Sequence, residues 1–461
     1  MLVQFVIDTA RKDGRAWGWR KAGWGPASPT PLTTWPATRQ ANPARSKESN
    51  KVTEAQRRRA LRHANIAWDE KVTDPRKARG RVHPHLGILG LLMAAFACGL
   101  ATLRRVEDLG EDLGRGARRA LGLPGKVSDS TLYRMAAKQN PEGFRETLWA
   151  QVRELFKRKV VQNDLFPVGV VSLDGKGNWS STSHDVDGAK ESSCGEGAPL
   201  WMLGSLRAVL TSSMVRPCVD MELIGAKEGE SPAFRTVLPR ICEQFGDRFE
   251  VVTGDAGLTC RENAALVREH DKHYLFGLKG NQPTLYAIAT ESTFWSPVRA
   301  TSEERAHGKT VVRDLFKLCV KDDARVDMAD AQQFWCVRQT SITPAGEAST
   351  ELHYFVTSLP VGELLPSQEL ALVRLHWGIE NGHNWTMDMM LQEDDVQPCQ
   401  TSRNAIEVVG WLRLLAYNIL SAWRFRALLK DRKPMPWKRA MEKLRDALLT
   451  IGSAEPLVTL G

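Results

Sequence analysis

The chain has 461 residues, of which 42% are hydrophobic and 25% are charged, and its formal net charge is +9. This length is enough for two or three domains, and the composition excludes a collagen-like, a wholly disordered or a multi-span membrane protein. The charge is uneven, because residues 1–60 carry a net charge of +8 and the other 401 residues only +1. We predict that residues 1–60 form a basic, disordered arm, which either contacts a polyanionic partner or is a solvated tail.

Neither the cysteines nor the apolar segments indicate a secreted or membrane protein. The eight cysteines include no Cys-x-x-Cys pair and no His at finger spacing, which argues against a zinc site and a disulfide framework. Residues 86–103 are 18 uncharged residues in a row, the minimum for a membrane span. Because no second such segment exists, a buried helix of a soluble bundle is the favoured interpretation. We expect a cytoplasmic protein with free thiols and no membrane contact.

Residues 80–160 have a helical pattern. Ser128 is a suitable N-cap for a short helix that carries Thr131, Tyr133 and Arg134 and follows a glycine-containing turn. A short helix rich in hydroxyl and Arg side chains is typical of a recognition helix that enters the major groove of DNA. An ordinary exposed helix of a bundle is the alternative.

From Phe166 onward the pattern indicates an α/β fold. Three predicted strands are followed by a helix, a strand, a helix and a strand, which predicts a mixed sheet with helices on its faces. Residues 300–360 predict antiparallel strands that interrupt this pattern like an inserted subdomain. A long helix is predicted at about 367–391, and the chain ends with a helical tail over 431–461.

Two aspartates close neighbouring buried strands, Asp174 after VVSL and Asp255 after VVTG. Ligands of an open α/β sheet gather at the carboxyl ends of its strands, and carboxylates from adjacent strands can share Mg²⁺. Each aspartate alone could equally be a turn former. Lys279 also follows a strand, beside a turn, where it either contacts phosphate or belongs to a plain turn.

Glu380 is the third candidate acid. It shares one predicted helix face with His376, Asn384 and Asp388, at i−4, i+4 and i+8. Three carboxylates suit two-metal phosphoryl transfer, in which the metals activate the attacking oxygen and stabilise the leaving one. His376 and His383 are either metal ligands or structural side chains.

Four motifs carry a family resemblance: SLDGKG, VTGDAGLTCRENAALV, YLFGLKGNQPTL and RLHWGIENGHNW. In this order they resemble those of bacterial DDE-type insertion-sequence transposases, in particular the branch that includes the H-repeat-associated proteins. The resemblance covers about 80–430. It implies an α/β fold with a ribonuclease-H-like mixed-sheet core at 165–430, a β-rich insertion at about 300–360, and a helical DNA-binding region at 80–160.

The resemblance also implies the chemistry. Asp174, Asp255 and Glu380 match the catalytic triad, which uses Mg²⁺, or Mn²⁺ as a substitute, for cleavage at the ends of the element and strand transfer into target DNA. The Tyr-x-x-Arg-x-x-x-Glu-x6-Lys signature of the wider superfamily is not kept around Glu380, so Arg374 is the candidate to supply its charge. The residues expected to contact DNA are Tyr133, Arg134, Lys176, Lys279, Arg374 and His376.

The implied partners are double-stranded DNA, at the transposon ends and the target, and a second copy of the chain, because two ends must be paired. This places the protein in the bacterial cytoplasm, associated with the nucleoid. Two alternatives remain open at this point. One is a hydrolytic nuclease of the same fold that stops at cleavage, and the other is an inactive relic that only binds DNA.

Overall fold

The computed structural model describes residues 68–79, 81–194, 197–293, 297–306, 308–320, 325–426 and 434–450. The predicted arm at 1–60 and the end of the predicted tail at 451–461 lie outside the described residues. The helices are α1 His85–Ala97, α2 Leu103–Asp112, α3 Arg115–Leu121, α4 Asp129–Ala137, α5 Pro141–Lys157, α6 Glu230–Phe245, α7 Arg261–Glu269, α8 Pro283–Thr293, α9 Pro366–Gly378, α10 Trp385–Met389, α11 Arg403–Arg426 and α12 Trp437–Thr450. The strands are β1 Val170–Ser181, β2 Lys190–Cys194, β3 Ala198–Leu210, β4 Cys218–Leu223, β5 Val251–Gly254, β6 His273–Leu278, β7 Ala300–Ala306, β8 Lys309–Cys319, β9 Gln333–Ile342 and β10 Ala348–Thr357.

Helices α1 to α5 form the region in front of the sheet. The apolar segment predicted as a buried helix forms α1, whose residues from Gly87 to Ala97 are almost all buried. The chain then turns at Gly99, whose φ of +74° suits a residue without a Cβ atom. Thr102 caps the N-terminus of helix α2, because its hydroxyl accepts a hydrogen bond from the Arg105 backbone N–H. The prediction of a buried helix is confirmed.

The predicted recognition helix is α4. It follows Ser128 as expected, but the Ser128 hydroxyl bonds to the Thr131 hydroxyl at 2.9 Å instead of capping the backbone. Its buried face contains Leu132, Met135 and Ala136, so Arg134 is left on the exposed face.

All ten described strands belong to one sheet, in the order β2-β3-β1-β5-β6-β10-β9-β8-β7, with β4 paired to β3. Strands β1 and β4 each pair with β3 in the antiparallel direction. Strand β5 pairs in parallel with β1, and β6 pairs in parallel with β5. Helices α6 and α7 provide the crossovers into the parallel strands. This topology confirms the predicted α/β fold with a ribonuclease-H-like mixed-sheet core.

The predicted β-rich insertion is an extension of the core sheet. Strands β7 to β10 are antiparallel to one another, as predicted, but β10 also pairs antiparallel with β6. The backbone hydrogen bonds therefore continue from the core into the insertion. The predicted antiparallel stretch thus lies in the same sheet as the core, which its sequence did not indicate.

Helix α11 joins the two parts of the fold. It packs against α1, α4 and α5 on one side and against β4 on the other. Residues 403–425 are long and apolar enough to span a membrane, but 94% of their most apolar window is buried inside the fold. Burial of this kind is typical of the central helix of a globular protein.

The helix predicted at about 367–391 is divided. Helix α9 ends at Gly378, a π-helical segment covers Ile379–Asn384, and α10 follows. A π-helical turn inserts an extra residue into the helix and is frequent at functional sites. It alters which side chains share a face, and Glu380 lies inside it.

Candidate active site

The two predicted aspartates lie side by side. Asp255 follows the end of β5 as predicted, but Asp174 does not end its strand, because β1 continues past it to Ser181 and pairs there with β3. Strands β1 and β5 pair in parallel, with Leu173 beside Gly254, so Asp174 and Asp255 follow at the same edge of the sheet. The Asp255 carboxylate accepts a hydrogen bond from the Gly257 backbone N–H at 2.9 Å, which fixes it at the start of a short 3-10 turn. The predicted juxtaposition of the two acids follows from this parallel pairing.

The π-helical segment brings the third acid to the same edge. Asn384, at the end of the segment, donates a hydrogen bond from Nδ2 to Oδ2 of Asp174 at 2.8 Å. Glu380 is close enough to Asp174 and Asp255 for electrostatic repulsion between the carboxylates. The structure therefore brings Asp174, Asp255 and Glu380 together from two strands and a distant helix.

The electrostatics of the site reflect crowded negative charge. Burial, followed by the neighbouring carboxylates of Glu380, Asp255 and Glu230, raises the pKa of Asp174 to about 7. Burial and Asp255 raise the pKa of Glu380, and nearby Lys279 opposes this shift. Among the described residues, no Lys or Arg forms an ion pair with any of the three predicted acids. A divalent cation would relieve this repulsion.

A fourth acid, Glu230, was not predicted. Helix α6 was expected to begin near Ser231 but begins at Glu230. The Glu230 carboxylate lies beside Gly175 of β1 and Gly257 of the turn after β5. Its Oε2 atom lies 3.4 Å from the position that a Cβ atom on Gly257 would occupy, and Oδ1 of Asp255 lies 3.2 Å from that position. In the sequence, an acid in the first turn of a helix indicates only a favourable helix dipole interaction.

The donor atoms fit a hard divalent cation. Carboxylate oxygens are the ligands that Mg²⁺ takes, together with several waters. Within the described residues, no group of three His, Cys, Asp or Glu side chains has the geometry of a complete metal site. The fit is therefore one of ligand type and charge, and Asp174, Asp255 and Glu380 are the residues that would hold Mg²⁺ or Mn²⁺.

Two family models match the chain. One, described as DDE_Tnp_1-associated, matches residues 70–150, and the other, described as Transposase DDE domain, matches residues 180–419, just over half of the chain. The chain belongs to the transposase DDE-domain family. Asp255 and Glu380 lie inside the second range, and Asp174 lies six residues before it.

The chain is also similar to individual proteins. The protein YbfL of Escherichia coli K12 is 24% identical over 371 residues, which cover 76% of this chain and 88% of YbfL. The H repeat-associated protein YhhI of the same strain is 23% identical over 360 residues, which cover 74% of this chain and 85% of YhhI. Among solved structures, a piggyBac transposase synaptic complex with hairpin DNA has a TM-score of 0.41 and 10% identity, covering 89% of this chain and 84% of that chain. The match to the family models confirms the predicted family resemblance.

The two histidines predicted as possible metal ligands are buried inside this DDE-domain protein. His376 bonds through Nδ1 to the Thr253 hydroxyl at 3.2 Å, and Thr253 continues the chain to the Ser172 hydroxyl at 2.8 Å. Burial lowers the pKa of His376 to about 4. His383 is fully buried against the Tyr417 ring, at 4.4 Å between ring centroids, and burial lowers its pKa well below the usual value. Both side chains are therefore packed in the interior of the protein.

Two of the expected DNA contacts are also placed inside the protein. The expectation for His376 is corrected, because its side chain is buried and bonds to Thr253 of β5. The Lys176 side chain is only 6% exposed and forms ion pairs with Asp388 and with Asp394. The expectation for Lys176 is corrected as well, because this side chain is buried and already paired with two carboxylates.

The other four expected contacts remain near the surface. Lys279 is exposed and close to Glu380. The Arg374 side chain is 39% exposed and pairs with Glu304 of β7. In the helical region, Arg134 is exposed, whereas the half-buried Tyr133 bonds through its hydroxyl to Thr401 at 2.7 Å.

Removing the charge of Asp174 should stabilise the metal-free protein. Because the pKa of Asp174 is raised in the folded state, its ionised form disfavours folding increasingly as the pH rises from about 4 to 7. We expect Asp174→Asn to add roughly 2–4 kcal/mol to the free energy of unfolding at pH 8 in EDTA, and little at pH 4. Thermal unfolding across this pH range measures the effect. The exposed control Asp185→Asn should change nothing, and a stabilisation that is the same at every pH would contradict the prediction.

Proposed function

We propose that this protein is a transposase that cleaves DNA at the ends of an insertion sequence and transfers the freed strand into target DNA. The observation that carries the proposal is the convergence of Asp174, Asp255 and Glu380 at the carboxyl edge of a ribonuclease-H-like sheet. Membership in the transposase DDE-domain family supports the same reaction class.

Each residue has a distinct part in this proposal. Asp174 on β1 and Asp255 just after β5 present their carboxylate oxygens to the scissile phosphate. Glu380 completes the set from the π-helical segment, and Asn384 holds the Asp174 carboxylate in place by its hydrogen bond. When bound there, Mg²⁺ supplies activation of the attacking oxygen and stabilisation of the leaving oxygen. Lys279 lies beside Glu380 and is suited to hold a DNA phosphate.

Double-stranded DNA is the substrate in this proposal. Residues 1–60, with a net charge of +8, would bind DNA without sequence preference by releasing counterions from its phosphates. We further propose a homodimer that pairs two ends, acting in the bacterial cytoplasm at the nucleoid.

Helix α4 is the proposed reader of the element's ends. The exposed Arg134 lies on α4 and is held by its own helix, with Nε donating to the Ser130 carbonyl at 3.0 Å. We expect Arg134→Ala to lose about 1–3 kcal/mol of the binding preference for the ends over random DNA. Competition binding with both DNAs measures this preference. If both affinities fall equally, Arg134 contacts the phosphate backbone instead.

The reaction itself can be tested on DNA that contains the sequences flanking the gene. With Mg²⁺, the full chain should nick at the element's ends and produce strand-transfer products joined to a target plasmid. Nicks without joined products would favour the hydrolytic nuclease. Binding without nicks in either Mg²⁺ or Mn²⁺ would favour the inactive relic, and both outcomes contradict the proposal.

A further inference from the structure

The side chain of Glu230 occupies a space that two glycines leave open. A Cβ atom on Gly175 would overlap Oε1 of Glu230, and one on Gly257 would lie 3.4 Å from Oε2. Gly175 follows Asp174 directly, and Gly257 lies two residues after Asp255. The residues that neighbour both aspartates therefore lack side chains where the Glu230 carboxylate lies.

The start of helix α6 is fixed at this position. The Ser231 hydroxyl donates to the Gly257 carbonyl at 3.5 Å, which ties the helix start to the turn after Asp255. Asn263 of α7 donates from Nδ2 to the Ser231 hydroxyl at 3.1 Å and to the Leu258 carbonyl at 2.8 Å. These contacts fix the backbone of Glu230 relative to Asp255.

Among the described residues, Glu230 lies near other carboxylates but forms no ion pair with a Lys or Arg side chain. Oε2 of Glu230 and Oδ1 of Asp255 lie 3.4 Å and 3.2 Å from one position beside Gly257, and Oε1 of Glu230 lies next to Gly175, which follows Asp174. By contrast, most described acids of the fold's interior are paired, as Glu393 and Glu369 are. A partly buried carboxylate held beside two others without a counter-ion is destabilising unless a cation binds.

We propose that Glu230 is a fourth carboxylate of the metal centre and supplies an oxygen ligand, directly or through a bound water, to the divalent ion held by Asp174 and Asp255. This inference rests on the proposed function, because it assumes that the sheet edge binds Mg²⁺. Its alternative is that Glu230 only stabilises the N-terminus of α6 through the helix dipole.

Manganese binding to the full chain without DNA separates these roles. The free Mn²⁺ concentration is followed by electron paramagnetic resonance at pH 8. We expect Glu230→Gln to weaken Mn²⁺ binding by about tenfold or more. The matched control is Glu228→Gln, which removes the same charge two residues earlier, from an exposed side chain, and should bind Mn²⁺ like the wild type.

Thermal unfolding in EDTA adds a readout that does not depend on metal or activity. Glu230→Gln should unfold at or above the wild-type temperature, because repulsion with Asp174 and Asp255 is removed. A helix-dipole role predicts the opposite pair of results, a lower unfolding temperature with unchanged Mn²⁺ affinity, and that pair would overturn the proposal.

A second variant leaves all four carboxylates in place. Gly175→Ala adds a methyl group where Oε1 of Glu230 lies, so it should displace this carboxylate and also weaken Mn²⁺ binding. Wild-type Mn²⁺ affinity in this variant would overturn the inference even if Glu230→Gln fails to fold. Asp174→Asn separates the two levels of the proposal. If it loses Mn²⁺ while Glu230→Gln does not, only the role of Glu230 is wrong, and if Asp174→Asn also binds normally, the proposed metal centre is wrong.

Discussion

Asp174→Asn, Asp255→Asn and Glu380→Gln are each expected to abolish DNA nicking and strand transfer. Every one of these changes removes a negative oxygen ligand while keeping the side-chain shape, so activation of the attacking oxygen and stabilisation of the leaving oxygen are lost together. Nicking of flanking DNA in Mg²⁺, followed over time on denaturing gels, measures the loss. DNA binding should persist or tighten, because a negative charge that faces phosphates has been removed.

Asp388→Asn is the control for this prediction. Asp388 lies eight residues after Glu380, but its carboxylate pairs with Lys176, which keeps Asp394 as a second partner at 2.9 Å. We therefore expect this variant to retain more activity than any of the three others. Normal cleavage by Glu380→Gln together with an inactive Asp388→Asn would show that the third acid has been misassigned. Wild-type nicking by all four variants would refute the metal-dependent triad.

Breaking the buried ion pair between Arg207 and Glu393 is expected to cause the largest loss of stability. Arg207 is 0% exposed and Glu393 is 1% exposed, and two hydrogen bonds of 2.8 Å join the guanidinium to the carboxylate. Although burial raises the pKa of Glu393, the charge and hydrogen bonds of Arg207 hold it below the usual value. Arg207→Met would leave the carboxylate buried without this partner and should cost about 3–5 kcal/mol of unfolding free energy.

The location of this pair connects it to the active site. Arg207 is the cross-strand neighbour of Asp174. Glu393 follows α10, which directly continues the π-helical segment that carries Glu380 and Asn384. The pair therefore anchors the segment with the third acid to the strand beside the first.

Denaturant unfolding of the two single variants and the double variant Arg207→Met/Glu393→Met measures the coupling. We expect the double variant to recover part of the loss, because neither member of the pair is left buried without the other, whereas the buried Arg413 still loses the nearby charge of Glu393. The exposed pair Arg261–Asp327, with side chains 68% and 71% exposed, is the control, and Arg261→Met should cost less than about 1 kcal/mol. Equal costs for the buried and exposed pairs would contradict the prediction.

Part of the site could be predicted because short sequence patterns indicate where its strands and acids lie. The apolar runs before Asp174 and Asp255 indicate buried strands, and the carboxyl ends of parallel strands meet at one edge of the sheet. Glu380 was found through its motif and its polar neighbours. Its actual setting was not, because the π-helical segment breaks the regular i, i+4 spacing on which the helix-face prediction rested.

The roles of charged and titratable side chains were less predictable. Lys176 and His376 were expected to contact DNA because Lys and His suit phosphate, but residue type does not reveal burial. Lys176 lies between two aspartates, and His376 is buried and bonds to Thr253 of β5. Glu230 was missed because nothing in its local sequence distinguishes a metal-facing acid from an ordinary first-turn acid.

By itself, the sequence determined the α/β core, the buried helix α1, the family and the neighbouring positions of Asp174 and Asp255, because hydrophobic periodicity and short motifs are local properties of the chain. Only the tertiary structure decided that β7 to β10 extend the core sheet and that Glu230 joins the acids. It also decided which polar side chains are buried. These features depend on which distant segments pack together, and packing is set by the balance of burial, hydrogen bonding and charge over the whole fold.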